Sequence, residues 1–348
     1  MRTRNYVIDL LRFIFCFMIV VHHSFMMYGE YKYAPTGYMG VEFFFIITGF
    51  YMMDKASQLN GTSYDLWTEV RQFLFHKIIK ILPILGVSIV FSVLLQYIAK
   101  IDLSIIKNII KAIPELLMLQ MFGISSSYPT GAAWYLSAMF IALTILYPVA
   151  LKYYSWYKNV GALFIALVLI GYIMHCTCTI GSDPGSYLGL FPKGVLRAFA
   201  EISLGAFLYP IVKEVKQNEY ELGQKIIIGI VEVLGYICCI YIMLKYQAGQ
   251  TDFYVLVLLL VSISITLSEK SILFELLNKR VWGMFGNISM VWFLNNFYVA
   301  RCLPAIFTTY HNKKLLYIYI IFSFVLTLGV QVCVNVLNQI IKIRRGLK

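Results

Sequence analysis

Apolar segments long enough to cross a bilayer follow one another along almost the whole chain, and that recurrence settles the fold class. A spanning helix needs about 20 predominantly apolar residues. Stretches of this kind lie near 7–27, 38–54, 78–99, 134–151, 160–176, 196–212, 226–245, 252–268, 285–306 and 315–341. Only 13% of the 348 residues are charged and 60% are hydrophobic, whereas a soluble domain carries about 25% charge. The period-two alternation of an outer-membrane barrel is missing. The expectation is an all-α integral membrane protein of about ten transmembrane helices. The stretch 102–122 is broken by Lys107, Lys111, Pro114 and Glu115, so it reads as interfacial or re-entrant.

The net charge of +12 sorts by side. With the N-terminus in the cytoplasm, Arg2, Arg4, Lys55, Arg71, Lys152, Lys158, Lys213, Lys216 and the tail residues Arg345 and Lys348 all fall inside. The tally is about eighteen basic residues inside against roughly eight in the external loops. This is the bias of a multi-pass protein of the cell (inner) membrane with both termini cytoplasmic, and it does not call for nucleic acid as a partner. Asp9 and Arg12 interrupt the first apolar run and no small-residue cleavage site follows, so that run is expected to be a retained helix and not a signal peptide. Residues 1–348 read as one membrane-embedded domain with no appended soluble domain. The seven cysteines lie mostly in spans. Cys176 and Cys178 could pair or stay free, and their spacing offers no metal site.

Within the first span, Arg12 and His23 are close to three full turns apart, so both project from nearly one face about 16 Å from each other. Asp9 falls within about 40° of that face. Polar groups at membrane depth are costly and mark functional sites by default, so the stripe reads as a polar track. The guanidinium of Arg12 keeps its charge and its fork matches phosphate or carboxylate, which suits an anionic donor arriving from the cytoplasm. The alternative is that Asp9 and Arg12 merely neutralise each other across one turn. An imidazole ordinarily titrates near ambient pH, which suits His23 to general-base work. His22 points about 100° away and reads as an interfacial ring bonded to a loop. Glu42, a carboxylate inside the second span, must meet a cation or a histidine; orienting His23 is one such use.

The residues around these positions form a series of blocks. Ile8-Asp9-Leu10-Leu11-Arg12 precedes His23, and Gly40-Val41-Glu42-Phe43-Phe44-Phe45-Ile46-Ile47-Thr48-Gly49-Phe50 fills the second span. Lys77-Ile78-Ile79-Lys80-Ile81-Leu82-Pro83, Trp134-Tyr135-Leu136-Ser137, Arg197 with Glu201 and Gly205, and Gly286-Asn287-Ile288-Ser289 follow. In order and spacing this series resembles the acyltransferase-3 family of membrane acyltransferases. Two positions depart from the family pattern: Met139 stands where a Glu often follows the Trp-x-Leu-Ser block, and Asn296 where the ninth helix often carries a His.

The resemblance implies an acyl-CoA-dependent O-acyltransferase. It would move an acyl group, commonly acetyl, from cytoplasmic acyl-CoA to a hydroxyl of an extracytoplasmic polysaccharide or lipid-linked glycan. No cofactor is bound; acyl-CoA is a co-substrate. His23 would act as base or acyl relay, assisted by Glu42, with Arg12 and its neighbour Asp9 at the donor. Lys77 and Lys80, at a helix entry, either anchor lipid headgroups or attract the CoA phosphates. Trp134 and Tyr135 either belong to an aromatic belt or stack on a sugar ring. Arg197 either pairs with Glu201 one turn on or binds substrate. Two other readings stay open: a transporter or flippase that uses the stripe as a conduit, and a non-catalytic membrane module of a cell-wall complex.

Overall fold

A computed structural model describes residues 4–30, 33–101, 103–124, 128–307 and 313–344; Arg2, Arg345 and Lys348 lie outside them. Helix α1 (Tyr6–His23) opens under Asn5, whose side chain accepts from the Ile8 amide at 3.2 Å, and is followed by the single turn α2 (Phe25–Tyr28). Next come α3 (Gly40–Leu59), the long α4 (Leu66–Ile98) capped by Asp65, and the short α5 (Ile105–Leu116). Helix α6 (Trp134–Lys152) leads to α7 (Tyr154–Trp156), which runs through a π-helical turn into α8 (Ala162–Thr177). A hairpin of β1 (Tyr187–Leu188) and β2 (Phe191–Pro192) leads into α9 (Lys193–Gln217). The chain ends with α10 (Leu222–Lys245), α11 (Thr251–Ser268), α12 (Ile272–Leu277), α13 (Trp282–Ile306) and α14 (Lys313–Arg344).

About 80% of the structure is helical. Among the described residues, eight helical segments are long and apolar enough to cross a membrane. The apolar stretches 38–54 and 285–306 also form helices, α3 and α13, but both carry too much polarity to count with the eight. Helix α3 holds Glu42, Asp54 and Lys55, and α13 holds Asn287, Asn295 and Asn296. These two are inner helices, with Glu42, Asn295 and Asn296 fully buried. Polarity that lipid would reject is tolerated because other helices surround it. Helix α5, at 12 residues, is too short to span. Its Ile106, Ile109, Ile110 and Ile113 are exposed while Asn108 and Glu115 are buried, so its apolar face is the one free to meet lipid.

Two helix pairs build the centre. Helices α1 and α13 run parallel and in register: Asp9 packs on Gly286, the Cys16 thiol meets the Ser289 carbonyl at 3.1 Å, and His23 meets Asn296. Helices α3 and α9 cross at two glycines. A β-carbon on Gly49 would strike the Ile202 carbonyl, and one on Gly205 the Ile46 carbonyl. Between membrane helices, where lipid is as apolar as any side chain, such close backbone approach and polar contacts supply the attraction. Both glycines belong to the motif blocks, so those blocks include a packing signal.

Candidate active site

The end of α1 that carries His23 opens onto a cavity of about 990 Å3. His22 and His23 line it, together with Phe293 and Phe297 of α13, Trp134, Tyr38 and the loop Gly181–Gly185. His23 sits against α13: its Nδ1 bonds the side-chain oxygen of Asn296, and Phe297 packs edge-on against its ring at 5.0 Å. The Asn296 amide nitrogen donates to the carbonyls of Trp292 (3.0 Å) and Phe293 (2.7 Å). The Tyr319 hydroxyl donates to the Val20 carbonyl at 3.0 Å and lies beside the same amide. His22 donates from Nδ1 to the Ala34 carbonyl at 2.9 Å, the loop bond expected of it.

At the other end of α1, Arg4, Asp9, Arg12, Tyr51, Lys216 and Glu269 line a smaller pocket of about 270 Å3. Asp9 is buried and serves as counter-ion to both Arg4 (2.5 Å) and Arg12 (3.2 Å). Lys216 pairs with Glu269 at 2.9 Å. The Arg12 side chain remains about one-third exposed, 32%, so its fork has donors to spare beyond a single bond to Asp9. Between the two ends lies a small apolar void lined by Phe44, Tyr135, Met290 and Phe293. Met290 and Phe293 fall on α13 between Gly286, level with Asp9, and Asn296, level with His23. Phe293 borders the large cavity as well.

Glu42 does not meet His23. Its carboxylate accepts from Arg197 at 2.6 Å, and the same guanidinium bonds Glu201 (3.3 Å) and the Gly181 carbonyl (2.8 Å). A carboxylate and a guanidinium, both at 0% exposure, satisfy each other far better than a carboxylate and a neutral ring would. Orientation of His23 therefore falls to Asn296. Arg197, bonded through each of its three nitrogens and stacked with Trp134 at 5.5 Å, is fully buried and does not line the cavity. The pair instead fixes the cavity wall. Asp252 on α11 accepts from the amides of Ile180 (2.8 Å) and Gly181 (3.3 Å) and from the Tyr38 hydroxyl (3.0 Å). Lys193 reaches Thr179 at 2.8 Å.

Other expected site residues separate. Trp134 does line the cavity, but Tyr135 is buried among Phe45, Phe44 and Phe293, too deep to stack on a sugar there. Lys77 lies over the Phe73 ring at 5.1 Å, near enough to Arg12 and Lys80 for their charges to repel it, and Lys80 is exposed; neither lysine lines the pocket at Arg12. Cys176 and Cys178 are free, exposed thiols. Sequence reasoning passed over Asp252, Lys193 and Lys216. Asp252, an acid at the edge of a hydrophobic run, was visible by the same cost argument that singled out Glu42.

Fold and site together define a multi-helix membrane protein whose first helix joins a basic pocket to an imidazole-lined cavity. The model of the acyltransferase-3 family, described as an acyltransferase domain, matches residues 5–336, nearly the whole chain. The chain belongs to that family. Neither a curated protein nor a solved structure matches it.

Proposed function

We propose that the protein moves an acyl group, most simply acetyl, from cytoplasmic acyl-CoA to a hydroxyl of a polysaccharide or lipid-linked glycan on the far side of the cell membrane. The observation that carries this reading is the division of α1: a guanidinium with spare donors at one end, and an imidazole on a large cavity at the other. With the N-terminus inside, as the distribution of basic residues favours, the pocket at Arg12 faces the cytoplasm. Arg12, with Arg4 and Lys216 beside it, offers the charge that CoA phosphates require. The acyl-bearing arm then lies along α1 past Phe44, Tyr135, Met290 and Phe293, side chains that would have to part around it.

At the cavity, His23 takes the proton of the acceptor hydroxyl while its oxygen attacks the thioester carbonyl. The new C–O bond forms, the C–S bond breaks, and the departing thiolate recovers the proton from the ring. The products are the ester and free CoA. Family membership and the helical build support an acyltransferase in a membrane; the donor, the acceptor and the acyl chain are our reading. The test is transfer of radiolabelled acetyl from acetyl-CoA by purified protein in vesicles. Labelled glycan from wild type and none from His23→Ala, at equal accumulation in the membrane, is the expected result. Equal labelling by His23→Ala, or transport of glycan without acyl-CoA, would sink the reading.

A further inference from the structure

We infer that Asn296 is a positioning residue that fixes the tautomer of His23, placing the ring proton on Nδ1 and leaving Nε2 as the lone pair that faces the cavity. Both hydrogens of the Asn296 side-chain nitrogen are spent on the carbonyls of Trp292 and Phe293, at 3.0 and 2.7 Å. Turning the amide over would set its oxygen against those two oxygens and cost two bonds, each worth about 1 kcal/mol or more when left buried and unmade. The amide orientation is therefore determined by the helix that carries it, and its oxygen must face His23. An oxygen can only accept. The His23 nitrogen beside it, Nδ1, must donate.

A neutral imidazole has one N–H, so committing it to Nδ1 leaves Nε2 bare. His23 lines the cavity, and no protein group among the described residues bonds Nε2. The edge-on Phe297 ring at 5.0 Å limits rotation of the imidazole. The Tyr319 hydroxyl, bonded to the Val20 carbonyl at 3.0 Å, ties the Asn296 neighbourhood back to α1 itself. The arrangement does for this ring what a carboxylate orienter does elsewhere, with one difference: a neutral amide supplies direction without charge. It gives the departure at position 296 a defined use. This inference rests on His23 being the reacting group for its kinetic consequence, but the tautomer itself does not depend on any reaction.

The experiment uses the full chain, labelled with 15N-histidine, in lipid bilayers and studied by magic-angle-spinning NMR near neutral pH. The chain has five histidines, and the His23 signals are those lost in His23→Gln. Wild type is expected to show a protonated Nδ1 and an unprotonated Nε2. Asn296→Leu keeps the shape without the acceptor and is expected to move the proton to Nε2 in a large share of molecules. It should lower kcat on the order of 10²-fold with the KM for acyl-CoA unchanged. Asn296→Asp keeps an acceptor oxygen in place, its second oxygen carrying a proton toward the two carbonyls, and is expected to restore the wild-type ring signature and most of the rate. Wild-type His23 with its proton on Nε2 would overturn the inference, as would an unchanged signature in Asn296→Leu. If Asn296→Leu fails to accumulate, the wild-type and Asn296→Asp spectra still decide. A chain that shows the Nδ1–H signature yet transfers nothing would refute the proposed function and leave the positioning role standing.

Discussion

The two ends of α1 solve opposite problems. The Arg12 end is a place of formal charge: Arg4, Asp9, Arg12, Lys216 and Glu269 surround a pocket of about 270 Å3, and the pairs there are partly wet. Around His23 itself the contacts are neutral, an imidazole held by an amide and faced with a phenyl ring, on a cavity more than three times as large. Charge in partial contact with water attracts an anion at long range and is screened by salt. A neutral ring with a fixed lone pair does nothing at long range and is suited to one short proton transfer. On the proposed function, one helix separates capture from chemistry.

That separation can be broken in kinetics. His23→Gln is expected to lower kcat by a factor of about 10² to 10⁴, the usual worth of a positioned acid–base group, while the KM for acyl-CoA stays within about twofold. A KM that rises along with the fall in kcat would merge the two ends. The next largest effect is on the scaffold. Arg197→Met strands Glu42 and Glu201 in a dry interior, and loss of one partner of a buried pair costs about 3–5 kcal/mol. Its thermal unfolding in detergent is expected far below wild type; an unchanged midpoint would mean that the two carboxyls find other partners. Arg12→Gln is expected to raise the KM for acyl-CoA about tenfold and to weaken its dependence on salt, with kcat nearly unchanged, since one charge-assisted bond is worth about 1.5–3 kcal/mol.

The smallest effect concerns the cavity wall beside α5. Burial pushes the Glu115 carboxyl up to about 7, against hydrogen bonds from Thr130 and Gln120 that lower it. The folded state then holds this proton more tightly than the unfolded chain, so stability contributed here falls as pH rises from the ordinary carboxylate range through about 7. Hydrogen exchange in α5, corrected for intrinsic rates, is expected to quicken between about pH 5 and about pH 7.5. Glu115→Gln should flatten that slope; a slope that survives the substitution assigns it to another group.

How much of this was legible in the sequence divides along a physical line. Helices were legible because apolar runs of bilayer length declare themselves locally. The placement of Arg12 and His23 toward opposite ends of one helix was legible because rise and turn per residue are a calculation inside one element. Glu42 was visible as an expense but its partner was not, because Arg197 comes from a different helix and nothing local selects it over His23. The Arg197–Glu201 contact, one turn apart, was readable for the opposite reason. Tyr135 shares a motif with Trp134, yet consecutive residues point about 100° apart, and only the packing of α3 and α13 decides which of the two reaches the cavity. Asn296 stands out in the sequence only as a departure; its bond to His23 depends on α13 lying beside α1.

The loop over the cavity carries a further consequence. Asp252 grips two of its amides and Arg197 one of its carbonyls, so this stretch of rim is anchored to ions in the interior and does not swing as a lid. A vestibule with a fixed rim cannot expel water by closing. On the proposed function, dryness around a thioester there would have to come from the acceptor itself, which fills the space as it arrives. On that same reading, an acyl donor reaching an empty vestibule would meet water instead, so slow hydrolysis of the donor in the absence of glycan is the leak expected of a fixed doorway.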